Sequence, residues 1–141
     1  MDFSFSTAPK TFFGEGALEA AGSELAALGK KALIVTGKII TKTGLADKVQ
    51  ATLSANGIES ALFNDLPGEP TDIMIMQGVE AFKAHKCDFI IGLGGGTPLD
   101  TAKAIAAMSV LPGKMIEYKG KELYGNFPPL VLIPTTAGTG A

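Results

Sequence analysis

Apolar residues fall into four short unbroken runs, at positions 32–35, 61–63, 89–91 and 130–133. The runs are too short for helices, and they do not alternate with polar residues as a strand with one wet face would. Unbroken runs of this length fit strands buried on both faces. Between them, apolar residues return every three or four positions: Leu18, Ala21, Leu25 and Leu28; then Leu45, Val49 and Leu53; then Ile75, Val79 and Phe82; then Ala102, Ile105 and Ala106. Each set marks one face of a helix. Strand and helix therefore alternate, which predicts a doubly wound α/β fold: a mostly parallel sheet, right-handed crossovers and helices on both faces. Gly29 after Leu28 and Gly57 after Asn56 stand where a left-handed helix C-cap is wanted. The opening segment, 3–16, is expected to add an edge hairpin. The turn-rich stretch 66–70 is expected to carry the chain across the C-terminal edge of the sheet.

Two of the four runs end in loops suited to a ligand. The third leads into Gly94, Gly95 and Gly96 and then Thr97-Pro98-Leu99-Asp100, so a strand runs into glycines and a helix opens behind them. Three glycines allow positive φ and leave no Cβ between the backbone amides and an incoming pyrophosphate, while the helix directs its positive end at the same place. Thr97 reads as the N-cap, Pro98 as the first helical residue, and Asp100 as the acidic member of a capping box. The same residues equally describe a tight strand-to-helix turn with a well-made cap. The spacing is not G-x-G-x-x-G, so the usual dinucleotide fingerprint is missing. The fourth run empties into Pro134, Thr135, Thr136, Ala137, Gly138, Thr139 and Gly140. Its three hydroxyls suit sugar and phosphate oxygens, or the capping of turns. Both loops follow strands, and in open α/β sheets ligands sit beyond the carboxyl ends of the strands.

Size and charge narrow the field. With 141 residues the chain is expected to form one domain. A net charge of −2 with scattered lysines leaves no basic footprint for nucleic acid. No apolar stretch approaches the ~20 residues that span a bilayer, and the start lacks the basic and apolar pattern of a secretory leader, so a cytoplasmic location is expected. The single cysteine, Cys87, reads as a packing thiol at a strand start.

The ordered motifs resemble the iron-containing (group III) alcohol dehydrogenases, in the N-terminal NAD(P)-binding domain. The resemblance rests on G-G-G-T-P-L-D-T-A-K-A-I-A at 94–106 and P-T-T-A-G-T-G at 134–140, supported by F-F-G-E-G-A-L at 12–18, A-L-I-V-T-G at 32–37 and E-P-T at 69–71. It covers essentially the whole chain. It implies a Rossmann-like domain of the dehydroquinate synthase-like type, and an NAD(P)-dependent oxidoreductase that interconverts alcohols with aldehydes or ketones by metal-assisted hydride transfer. Carried over residue by residue, Gly95, Gly96 and Thr97, with Gly94 before them, would hold the pyrophosphate. Thr135, Thr136 and Thr139 would line the adenine and phosphate side, and Asp100 would lie toward the nicotinamide or else serve as a cap. Related glycerol dehydrogenases and maleylacetate reductases share such a domain, and a nucleotide-binding module without catalysis is a further alternative.

Two departures bear on NAD against NADP. Where many NAD-preferring members carry aspartate after the second strand, this chain has Gly37 followed by Lys38. The missing carboxylate removes a bar to a 2′-phosphate, and Lys38 either pairs with that phosphate or is a solvated loop lysine. Glu69, where relatives often carry asparagine, pulls the other way. The resemblance further implies that the iron, or another divalent metal, is held by one aspartate and three histidines of a helical second domain. The only histidine here, His85, is expected at an exposed helix end. As supplied, the chain is expected to be the dinucleotide-binding half, 1–141, catalytically silent alone. Its uncovered apolar surface is expected to pack against the missing portion or another copy of itself.

Overall fold

In a computed structural model, which describes residues 2–138 and 141, the four apolar runs become β1 (Lys31–Thr36), β2 (Glu59–Phe63), β3 (Phe89–Gly94) and β4 (Leu130–Pro134). They form one parallel sheet in the order β2-β1-β3-β4. The helices are α1 (Ala17–Ala20), α2 (Gly22–Leu28), α3 (Lys38–Lys42), α4 (Leu45–Ala55), α5 (Asp72–Ala84) and α6 (Gly96–Met108), with a 3-10 turn at Met115–Tyr118.

The unbroken runs are explained by burial on both sides. Leu33, Val35 and Ile90 face Ile75, Val79, Ala102 and Ile105 of α5 and α6. Ala32, Ile34, Phe89, Ile91 and Leu93 face Leu25 of α2 and Ala46, Val49 and Leu53 of α4. The two edge strands are less covered: Leu62 and Phe63 of β2 and the three central residues of β4 are only half-buried. Polar ties hold the strand starts together. Asp88, just before β3, accepts the amides of Lys30 and Lys31 at 2.6 and 2.9 Å, which fastens the start of β3 to the start of β1.

Several expectations need correction. The segment 3–16 forms no strand, and Phe3, Phe5 and Phe13 stand 83–100% exposed, packed on nothing that would hold it against a sheet edge. Gly57 is left-handed at φ 74°, and the bonds Gly57 N to Ser54 O and Ile58 N to Leu53 O complete a Schellman motif. Gly29, by contrast, is extended at φ 162°. Glycine suits it for space, since a Cβ would lie 2.4 Å from the Cβ of Asp88. Thr71 caps α5 by accepting the amide of Met74 at 3.2 Å, which gives the E-P-T turn a structural function. Among the described residues, no helix is long and apolar enough to cross a membrane.

Candidate functional site

β1 is flanked by β2 on one side and β3 on the other, so the chain leaves β1 toward one edge of the sheet and returns to build the other. The carboxyl ends of β1 and β3 therefore border the topological switch point, where open α/β sheets form a crevice. A buried hydrogen bond fixes the spacing there: Thr36 Oγ1 donates to the carbonyl of Leu93 at 2.8 Å. Thr36 is fully buried, and nothing in the sequence pattern singled it out. A threonine ending a run of Ala-Leu-Ile-Val was its one available signal.

β3 ends at Gly94, whose φ of 137° is closed to most side chains; a Cβ there would also lie 2.7 Å from Pro98 Cγ and 3.5 Å from Ile40 Cγ1. Gly94 is thus glycine for both backbone and space. The expectation of positive φ throughout the triplet is corrected, since Gly95 has φ −82° and Gly96 begins the helix. The cap is corrected as well. Gly95, not Thr97, is the N-cap of α6, and no side chain bonds to the first turn. Thr97 and Pro98 are the second and third helical residues, and Asp100 lies past the first turn, where its exposed carboxylate pairs with Lys103 at 3.2 Å. Glycine at the N-cap has no side-chain oxygen to offer the first turn. The consequence is chemical, because the amides of Gly96 and Thr97 have no intrahelical acceptor and Pro98 has no N–H. Two donors and the positive end of a thirteen-residue helix are left at the crevice.

The fourth strand brings its loop to the same place. Thr135 N donates to Gly94 O at 2.9 Å. A Cβ on Gly95 would lie 3.3 Å from Thr136 Oγ1, so that hydroxyl borders the glycine turn directly. Thr135 and Thr136 are exposed. Thr139, the third hydroxyl expected here, lies outside the described residues.

On the other side of the switch point, Gly37 caps α3 in extended conformation, with nothing within 4 Å of where a Cβ would stand. It follows the first strand rather than the second, because the opening segment supplies none. Lys38, the first residue of α3, pairs with Asp65 at 3.0 Å, both side chains being well exposed. Sequence reasoning missed Asp65, which belongs to no recognised motif and meets Lys38 only through the pairing of β1 with β2. Lys38, Thr41, Lys42 and Asn64 line one shallow hollow beside this pair. Elsewhere, His85 is exposed at the C-cap of α5, and Cys87 is buried just before β3. Burial pushes the Cys87 thiol above its ordinary pKa; the Lys31 charge opposes that shift and Asp88 adds to it. Among the described residues, no group of three His, Cys, Asp or Glu side chains stands close enough to hold a metal ion.

These features define a class: an open parallel α/β domain whose switch point carries an uncapped helix N-terminus, a glycine turn and threonine hydroxyls. Comparison with known proteins narrows it. Residues 8–141 match the family model "Iron-containing alcohol dehydrogenase", and the chain belongs to that family. It is 42% identical over 133 residues to choline dehydrogenase of Bacillus subtilis (strain 168), covering 91% of this chain and 33% of that protein. It is 37% identical over 139 residues to the NAD-dependent methanol dehydrogenase of Bacillus methanolicus, covering 97% of this chain and 36% of that one. Among solved structures, 1,3-propanediol oxidoreductase superimposes with a TM-score of 0.92 at 37% identity, over 99% of this chain and 37% of that chain. The chain thus spans about a third of the length of the relatives it matches.

Proposed function

We propose that this chain is the dinucleotide-binding domain of an NAD(P)-dependent oxidoreductase that interconverts alcohols with aldehydes or ketones. One arrangement carries the reading: the glycine turn after β3, the uncapped start of α6 and the threonine loop after β4 meet beside the switch point. In this reading the amides of Gly96 and Thr97 bind the pyrophosphate of the cofactor. Gly95 lets the phosphate approach the backbone, and Gly94 turns the chain between strand and helix. Thr135, Thr136 and Thr139 take the adenine and phosphate side, Gly37 and Lys38 border the adenosine ribose, and Asp100 lies toward the nicotinamide. The bound cofactor supplies hydride transfer; the domain positions it and contributes no titrating side chain to the glycine turn.

The metal that the family name implies does not fit the described residues, which hold no cluster of His, Cys, Asp or Glu for it. In this reading its ligands and the contacts with a small alcohol or aldehyde come from outside the third of the relatives' length that this chain matches. The relatives' own names span choline, methanol and 1,3-propanediol, so the substrate is proposed only as an alcohol or its carbonyl counterpart.

Gly95 and Gly94 separate binding from folding. Gly95 has an ordinary φ, so Gly95→Val adds bulk against Thr136 and the phosphate without straining the backbone. It should weaken NADH binding at least about tenfold, by titration calorimetry, at a stability cost of about 1 kcal/mol from the poorer N-cap. Gly94→Ala, at φ 137° and against Pro98, should instead lower stability by roughly 1–3 kcal/mol in denaturant titration. Equal NADH affinity in wild type and Gly95→Val would exclude the glycine turn as the phosphate site.

A further inference from the structure

We infer that Asp65 and Lys38 act together as the element that reads the 2′ position of the adenosine ribose, with Asp65 supplying the carboxylate that position 37 lacks. The inference rests on the reading that the crevice takes a nicotinamide dinucleotide. The sheet itself sets up the juxtaposition. β1 and β2 are parallel and in register through Val35 and Phe63, and two residues beyond that pair, past the ends of both strands, stand Gly37 and Asp65. Both therefore reach the ligand edge at the same level, one strand apart.

Glycine at 37 is required neither by its backbone, with φ −100°, nor by crowding, since nothing lies within 4 Å of a Cβ there. What it provides is open space at the end of β1. That space is bounded by a shallow hollow lined by the mostly aliphatic surface of Lys38, Thr41, Lys42 and Asn64; the Thr41 hydroxyl already donates to the Gly37 carbonyl and accepts from the Asn64 amide. What a phosphate would meet here are the ammonium groups of Lys38 and Lys42, one turn apart on α3. At the rim stands the opposing group, the Asp65 carboxylate, 3.0 Å from the Lys38 ammonium. Their side chains are 70% and 63% exposed, so the pair is held in water and stabilises the fold little. A pair of that kind exchanges readily for a ligand.

The two cofactors then meet different halves of the same device. With a free ribose 2′-hydroxyl, Asp65 accepts its hydrogen bond and Lys38 stays on the carboxylate. With a 2′-phosphate, Lys38 leaves Asp65 for the phosphate and Lys42 adds its charge, but the bared carboxylate repels the newcomer. Asp65 therefore restrains NADP use and Lys38 favours it, so the ratio of the two affinities depends on both.

The test is titration of the full-length protein with NADPH and with NADH, in wild type, Asp65→Asn and Lys38→Met. Asp65→Asn should raise the preference for NADPH over NADH about tenfold, and Lys38→Met should lower it by a similar factor, a charge-assisted hydrogen bond being gained or lost in each case. Lys42→Met should move the ratio in the same direction as Lys38→Met, by less. Thermal melts should be nearly superimposable, as fits exposed side chains. If both dinucleotides bind and the ratio stays within twofold in Asp65→Asn and Lys38→Met, this inference falls and the cofactor site stands. If wild type binds neither dinucleotide, the reading of the crevice falls, and the inference with it.

Discussion

Lys86 sits at φ 54°, the one non-glycine residue in the left-handed region among those described. It ends α5 in a Schellman motif, with Cys87 N bonded to Phe82 O and Lys86 N to Lys83 O at 3.0 Å each. Its exposed side chain has no packing to offset the left-handed strain, so Lys86→Gly should raise unfolding stability by about 0.5–1 kcal/mol in urea titration. An unchanged or lowered midpoint would show that the unfolded-chain entropy of glycine outweighs the relief of strain. The residue scale also shows what a sequence discloses. Gly57 was legible as a left-handed cap because Asn-Gly after a helical run has few other uses. Gly29 was misread, because glycine chosen to make room for Asp88, 59 positions away, looks the same in the sequence as glycine chosen for its φ. Thr36 and Asp65 were invisible for the same reason, since each gains its partner only through strand pairing.

At the scale of elements, the strands were legible because burial on both faces writes unbroken apolar runs. The long helices were legible from their spacing. α3 was not, since five residues make hardly more than one turn and show no period. The opening segment was misjudged because its phenylalanines imitate strand composition, while here they stay exposed and pack against neither edge of the sheet. The start of α6 was placed two residues late: threonine and aspartate suggested a side-chain cap where the structure uses a bare glycine. The same glycine-rich stretch lets α6 lie close on β3. A Cβ on Gly92 would lie 2.9 Å from Ala102 Cβ, 3.1 Å from Leu132 Cδ2 and 3.3 Å from the Leu99 backbone. Gly92→Val should therefore force α6 off the sheet and cost roughly 3 kcal/mol or more, by denaturant unfolding, and should weaken NADH binding along with it. A Gly92→Val protein of wild-type stability would mean that helix and strand are less tightly seated than these distances indicate.

For the whole molecule, the doubly wound layout followed from alternation, and a shared crevice was expected because both loops follow strands; the strand order came from the structure, and the roles expected at the rim came from the family resemblance. The half-buried β4 is the place where this domain, matched to a third of its relatives' length, has least cover of its own. Global stability also carries a titration. Cys87 has a pKa raised by burial, so the folded state keeps its proton where the unfolded chain has begun to lose it. The sign follows: the contribution is fully present below about pH 8.5, the ordinary thiol value, and is lost as pH rises from there through the folded value. Thermal midpoints measured from pH 7.5 to 10 should fall more steeply in wild type than in Cys87→Ala, and parallel slopes would remove the thiol from the account.

The buried bond from Thr36 to Leu93 joins the two strands on either side of the cleft before any visitor arrives. A mouth held at fixed width by its own backbone has nothing to rearrange when a guest enters, so little of the attraction is spent on ordering the host. Discrimination between guests then falls to mobile side chains at the margin, and changing them can retune preference without disturbing the frame.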